Sequence, residues 1–485
     1  MTPTITVTAR TGDPAETSAD TRVVGIFDAV DCANETIAKL IESGELKSSF
    51  KHVGVAHAHG KRYVVVGLGK ADELTGERAR VAAAVAYSRA AELGSKSLSW
   101  QLPEAGDTAT IAGALVEGTL LKAYKFDQFK SSKDDADDED NGLTDLEIAT
   151  GDNDLADEVR QAAIGANAAN RARDLQNMPS NIATPSYLSD RAAAIAAAHK
   201  NIEFVIRDRD WITAKGMGAF ASVAQGTDEE PQLIELHYHG AGAEGPTLGF
   251  VGKAVTFDTG GISLKPSGKM EEMKFDMSGG AAVLEATAAI AELGLPINLI
   301  SIVPSTENMP SGKAIKPGDI VTALNGKTIE INNTDAEGRL ILADALTYCI
   351  ELGAERVINL ATLTGAIIVA LGSTYAGHFS NDDDWYSQVL AAADATGELG
   401  HRLPLHPEYE ELIKGKYADI SNAPGSRKGS SITAAEFLKN FVGDTPWAHI
   451  DIAGTAWDLG RSYVGNGASG FGVRMLIELA RANRA

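Results

Sequence analysis

One stretch, Asn332-Asn333-Thr334-Asp335-Ala336-Glu337-Gly338-Arg339-Leu340, constrains this chain more than any other. Residues 328–331 before it read as a short β run. After it, Leu340, Ile341, Ala343, Leu346 and Ile350 recur at helical spacing, which predicts a helix opening at Gly338 or Arg339. Asp335, Glu337 and Arg339 then stand on a turn feeding a helix N-terminus, where a loop exposes side chains on a rigid support. Two carboxylates two residues apart beside a guanidinium suit a divalent cation and an anionic reaction intermediate together.

A second charged cluster comes earlier in the chain. Lys253 closes the apolar run carrying Leu248, Phe250 and Val251, and Asp258 closes the next one, so both are expected at strand ends. Gly260 and Gly261 allow a tight turn and close backbone approach to a ligand, and Lys265 and Asp276 follow. Asp258, Asp276, Asp335 and Glu337 in one site would repel and raise one another's pKa values. Two divalent cations roughly 3.5–4 Å apart would relieve that conflict. Oxygen ligands suit Mn²⁺ or Mg²⁺, and Zn²⁺ stays open on affinity grounds.

The order Lys253, Asp258, Lys265, Asp276, then Asn333-Thr334-Asp335-Ala336-Glu337-Gly338-Arg339-Leu340, resembles the leucyl (cytosol) aminopeptidase family of two-metal peptidases. The resemblance is close over the C-terminal two thirds and holds in outline before about residue 170. It implies that Asp258 and Glu337 bridge two metal ions, Mn²⁺ or Zn²⁺, with Asp335 completing one site and Lys253 and Asp276 the other. A lysine ligand must be a neutral amine, so metal charge and burial would have to hold the Lys253 pKa well below its usual value. Lys265 and Arg339 are implied as the catalytic pair. Lys265 would donate to the oxyanion of the intermediate, and Arg339 would hold a bicarbonate that relays a proton. Met273, Thr362, Gly365, Ala453 and Ala456 are implied as the pocket for the first residue. Their small and thioether side chains leave an apolar slot for leucine or methionine. Such a slot separates one methylene by only ~1–3 kcal/mol, so broad specificity is expected. The implied activity is release of N-terminal residues from peptides with a free amino end, in intracellular peptide turnover, by a homohexamer.

Where the family more often has an aromatic and an Ala-Gly pair, this chain has Arg427-Lys428-Gly429-Ser430-Ser431. That departure bears on loop conformation, subunit contacts or pocket detail and lies outside the charged cluster.

At 485 residues the chain is too long for one core. Alternating strand and helix patterns predict an α/β fold in two domains. Residues 1–170 form a smaller N-terminal α/β domain of oligomeric or regulatory role. Residues 171–485 form a larger C-terminal catalytic domain with a twisted, mostly parallel central sheet flanked by helices. An alanine-rich helix over 154–173 is expected to join them. In such sheets ligands gather at strand carboxyl ends, where Lys253, Asp258 and Thr362 all fall.

The net charge of −23 argues against nucleic acid, including the architectural DNA binding of some bacterial relatives, and against a phosphoesterase. Cys32 and Cys349 make no disulfide framework. No signal peptide and no membrane span are read, so a cytoplasmic protein is expected. Gly67-Leu68-Gly69 suggests a dinucleotide loop, but the third glycine would fall at Asp72, and a strand-ending turn is the better account. The acidic run 133–140 is expected to be a solvated loop. Of the histidines, the pairs His57/His59 and His237/His239 have no helical or distant carboxylate partner that stands out. His449 and Asp451 read as a hydrogen-bonded structural pair.

Overall fold

The computed structural model of the protein describes residues 5–28, 32, 34–58, 60–131, 142–240, 242 and 245–484; the acidic run 133–140 and His59 lie outside them. The chain divides into two compact units, Met1–Asn170 with Gly460–Gly465, and Arg171–Leu459 with Asn466–Ala485. The helix Ala156–Asn177 contains the division.

In the first unit, β1 (Thr6–Thr11), β2 (Thr21–Phe27), β3 (Val53–Ala58), β4 (Lys61–Gly69), β5 (Ser97–Gln101) and β6 (Asp145–Gly151) form a sheet in the order β1-β6-β5-β2-β4-β3. Every pairing is parallel except β3 on β4. Helices Gly76–Glu92 and Thr108–Ala123 follow their strands, each opened by a side-chain cap, Thr75 and Asp107. Of Gly67-Leu68-Gly69, only Gly69 ends the strand, with a φ of 75° that suits glycine. β4 runs through to Gly69, and a Cβ at Gly67 would lie 2.2 Å from the Ser49 carbonyl, so glycine serves close backbone packing. The excursion Gly460–Gly465 joins this unit through Tyr463, whose hydroxyl donates to Glu77 Oε2 at 2.9 Å.

The second unit carries β7 (Ile202–Arg207), β8 (Gln232–His239), β9 (Leu248–Gly252), β10 (Ala254–Asp258), β11 (Asn298–Asn308), β12 (Ile320–Thr322), β13 (Thr328–Glu330), β14 (Arg356–Ala361), β15 (Ala376–Ser380), β16 (Gly400–Arg402), β17 (Ile420–Ser421) and β18 (Trp447–Asp451). The main sheet runs β16-β15-β18-β14-β9-β11-β8-β7, with β10 on β11, and β12-β13-β17 make a small sheet. The centre, β18-β14-β9-β11, is parallel, and antiparallel partners flank it. Parallel strands buried on both faces need continuous apolar sequence, and β9, β14 and β18 are buried almost throughout. Two helices flank this centre, Ser278–Leu293 and Gly338–Glu351, the first buried from Ser278 to Ala291. Glycine lets the first approach the strand ends. A Cβ at Gly279 would lie 2.1 Å from the Leu360 carbonyl, and one at Gly280 2.7 Å from Ala254 Cβ.

Candidate active site

Lys253 sits between β9 and β10, and its backbone is fixed on both sides: its N–H donates to Leu360 O at 3.0 Å, and its carbonyl accepts from Gly280 N–H at 2.7 Å. Its Nζ stands 2.8 Å from Asp276 Oδ1 and 2.7 Å from Glu337 Oε1, and donates to Thr362 O at 2.9 Å. Thr362 also donates its hydroxyl to Asp276 Oδ1 at 2.7 Å.

Asp258 ends β10, where the sheet register sets it opposite Asn308. Its Oδ1 accepts from Asn308 Nδ2 and from Gly260 N–H, both at 2.8 Å. Its Oδ2 lies 2.7 Å from Lys265 Nζ, which is also 2.5 Å from Asp335 Oδ1. Each lysine therefore clamps two of the four carboxylates.

Two cations against four carboxylates leave this site net negative. Burial works against the Lys253 ammonium, but Asp276, Glu337 and Asp258 hold its pKa above the usual lysine value. With carboxylates alone around it, Lys253 is thus an ammonium, the reverse of the neutral amine that metal ligation requires. Burial and the carboxylates, Asp258 first, act on Lys265 in the same opposing way, with the same net rise. Burial and the neighbouring Glu337 push Asp258 up, and burial pushes Asp276 well up. Burial with Glu337 and Asp258 brings Asp335 to about 6. Glu337 goes down despite its burial, because Lys253 and Lys265 flank it. These strains are what a divalent ion removes.

The donors fit such ions. Asp258, Asp335 and Glu337 each bring one carboxylate oxygen to within 4.8 Å of the others. Asp276 Oδ2 and Glu337 Oε2 are buried with no hydrogen-bond partner among the described residues. An orphaned buried carboxylate oxygen costs free energy unless something positive meets it. Apart from the Lys253 nitrogen these donors are oxygens, which suit hard divalent cations.

Arg339, in the first turn of the helix Gly338–Glu351, is buried, and Nη1 donates to Asn422 O at 2.7 Å. Its Nε has no partner among the described residues. Burial brings its pKa down to about 10, against the pull of Glu337 and Asp451.

The residues implied as a pocket fall on three segments. Thr362 and Gly365 follow β14, Ala453 and Ala456 follow β18, and half-buried Met273 lies in the 3₁₀ stretch Met270–Met277 that ends beside Asp276. Asp451 joins the first two segments. Its Oδ1 accepts from the N–H of Leu363 (3.1 Å), Thr364 (3.4 Å) and Ala453 (3.3 Å), and its Oδ2 from the Thr364 hydroxyl (2.6 Å). The expected His449–Asp451 pair is therefore absent: His449 Nδ1 instead meets Asn359 Nδ2 at 2.9 Å. The two residues share one face of β18 but stand two strand positions, about 6.5–7 Å, apart along the backbone, and Asn359 on β14 and the 363–364 backbone meet them first. The departure at 427–431 touches this region: Ser431 Oγ lies 2.7 Å from Thr364 Oγ1. Of the histidine pairs, His237 meets a carboxylate of its own strand, Glu235 two residues away at 3.3 Å.

Residues 170–477 match the profile of the cytosol aminopeptidase family catalytic domain, and residues 15–133 its N-terminal domain. The chain belongs to the cytosol aminopeptidase family. It is 41% identical over 486 residues to a protein of Roseiflexus castenholzii named "Probable cytosol aminopeptidase", covering 98% of this chain and 99% of that one. It is 43% identical over 471 residues to one of the same name from Solibacter usitatus, with 95% and 96% covered. Among solved structures, "Bottromycin maturation enzyme BotP in complex with Mn" superposes with a TM-score of 0.87 at 34% identity, covering 96% of this chain and 99% of that one. As a member of the cytosol aminopeptidase family the chain is a metallo-aminopeptidase, a metal-dependent hydrolase of peptide bonds. No helix among the described residues is long and apolar enough to cross a membrane.

Sequence reasoning missed Asn308 and Asp451. Asn308 follows the polar run Ser305-Thr306-Glu307 and meets Asp258 only through the register of β10 on β11; Asp451 was visible but assigned the wrong partner.

Proposed function

We propose that this chain releases N-terminal residues, leucine and other apolar ones preferred, from peptides in intracellular turnover, with two divalent ions per subunit held by Lys253, Asp258, Asp276, Asp335 and Glu337. The observation that carries the reading is the buried Lys253 Nζ, 2.8 Å from Asp276 and 2.7 Å from Glu337, beside the oxygen cluster of Asp258, Asp335 and Glu337. A relative of similar fold named as a complex with Mn supports Mn²⁺ as one candidate, and Zn²⁺ is the other.

When bound, the ions supply Lewis acidity and lower the pKa of water from ~15.7 towards ~7, and a bicarbonate supplies a proton acceptor. Lys265, an ammonium with its Nζ at the mouth of the cluster, donates to the oxygen on which negative charge develops. Arg339 is a buried cation with an unpartnered Nε, which suits it to hold the bicarbonate. The free amine of the substrate would also bind at a divalent ion held by these residues, which would confine cleavage to the first peptide bond. Met273, Thr362, Gly365, Ala453 and Ala456 line the slot for the first side chain. Family resemblance supports a cytoplasmic homohexamer, which light scattering tests.

Leucine p-nitroanilide hydrolysis, measured after chelation and after restoring Mn²⁺ or Zn²⁺, tests the reading, with metal analysis alongside. Release restored by metal supports it; no release under either metal overturns it.

A further inference from the structure

The two metal-site carboxylates Asp335 and Glu337 and the guanidinium of Arg339 come from one loop and the first turn after it, yet residues 331–337 hold no regular secondary structure. Something outside the loop has to fix it. Ser263, Gly260 and Asn308 hold Thr334 in its middle, and Asn422 makes the contacts on either side. It is fully buried and stands just after β17, which the parallel register with β13 aligns beside Glu330. Its Oδ1 accepts from the N–H of Asn332 at 2.8 Å and of Asn333 at 3.2 Å. Its Nδ2 donates to Asn333 O at 2.7 Å and to Ala336 O at 3.4 Å. Its N–H donates to Glu330 O at 3.0 Å, and its carbonyl is the acceptor for Arg339 Nη1 at 2.7 Å. Each polar atom of the residue is used, and each contact falls on the segment 330–339.

We infer that Asn422 is a positioning residue that sets the ligands Asp335 and Glu337 and the cation Arg339 in one register. Both ends of its amide are needed. The acceptor holds the entry of the loop at Asn332 and Asn333, and the donor holds the carbonyls that flank Asp335. A side chain with only one of these functions leaves the other end of the loop held by the contacts of Thr334 alone. Groups that orient metal ligands in this way commonly change metal affinity or rate 10–100-fold when removed. The carbonyl of the same residue ties Arg339 to that frame, so a shift at position 422 displaces the guanidinium together with the ligand loop.

The inference rests on the two-metal reading proposed above, and the test separates the two. Mn²⁺ affinity of the purified full-length chain is measured by titration calorimetry, and kcat and KM for leucine p-nitroanilide at saturating Mn²⁺, for the wild type, Asn422→Ala and Asn422→Asp. Asn422→Asp keeps size and acceptor but loses the donor, and remains available where the alanine variant fails to fold. The expected result is about 10–100-fold weaker Mn²⁺ binding in each variant and a kcat lower by a similar factor, with KM changed much less. Unfolding in chelator is followed in parallel, because a purely structural asparagine lowers stability and leaves affinity and kcat of the folded protein alone. Wild-type Mn²⁺ binding and turnover with both unchanged in the variants overturns the role of Asn422. A wild type that neither binds Mn²⁺ nor releases product overturns the two-metal reading and this inference with it.

Discussion

Lys253 Nζ and Glu337 Oε1 lie 2.7 Å apart in a site where both side chains are buried, and Asp276 Oδ1 lies 2.8 Å from the same nitrogen. Breaking a buried pair from one side leaves an uncompensated charge, at a cost of about 3–5 kcal/mol. Lys253→Met, similar in length, should therefore lose about that much stability in chelator, read as a lower urea midpoint with an unchanged slope. A midpoint equal to that of the wild type would mean that the ammonium does not neutralise Glu337 and Asp276.

Lys265 and Arg339 are cations beside the carboxylate cluster, so removing either takes away repulsion toward a metal ion. Lys265→Ala and Arg339→Ala should keep Mn²⁺ affinity or tighten it, while kcat falls about 10²–10³-fold through loss of an electrostatic donor. Asp258→Ala should lose metal instead. Calorimetric titration beside steady-state rates decides, and weaker binding in the lysine variant would make Lys265 a support for the ligands.

The charged positions were legible because their chemistry needs particular residue types at particular places: Lys253 and Asp258 at strand ends, Asp335 to Arg339 ahead of a helix. The apolar spacing of Leu340, Ile341 and Leu346 located the helix Gly338–Glu351 to within a residue. What stayed hidden depends on the sheet. Asn308 meets Asp258 because β10 and β11 pair in one register, and nothing local in either strand reveals that register. Asn422 and Asn332 are likewise 90 residues apart. Gly460–Gly465 gave no signal for its place in the first unit, since contacts of Tyr463 and Arg461 with Glu77, 386 residues before Tyr463, have no sequence pattern.

Asp344 is a buried carboxyl with no cation partner among the described residues, and its oxygens accept the N–H groups of Phe220 and Leu324, both at 2.8 Å. Burial outweighs these amides and pushes its pKa up to about 7. Asp344→Ala orphans both N–H groups, at about 1–3 kcal/mol each. A raised folded-state pKa means stability from this group is full below about 4, the unfolded value, and is lost as pH rises through about 7. The gap between wild type and Asp344→Ala should therefore narrow from pH 5 to pH 8, by something on the order of 1–3 kcal/mol. Denaturation curves across that range check it; a gap that widens would show that the amides win over burial.

Gly338 gives the sharpest test of geometry, because the residue has no chemistry of its own. A Cβ there would stand 2.5 Å from Lys253 Nζ, 2.6 Å from its Cε and 2.7 Å from its Cδ. A lysine tip on a surface would swing aside at little cost. Here the tip is held by Glu337, Asp276 and the Thr362 carbonyl, with its backbone pinned by Leu360 and Gly280, so it cannot yield without leaving those partners. The helix itself tolerates the change, since alanine is the better helix former by ~1 kcal/mol. Gly338→Ala should therefore fold and keep its helix content. It should lose the metal position that depends on Lys253 and Asp276 before the one that depends on Asp335, seen as about one ion fewer per chain by metal analysis at limiting Mn²⁺. Full metal content and full rate in this variant would show that Lys253 can leave its carboxylates freely, and the assignment of Lys253 as a ligand would go with it.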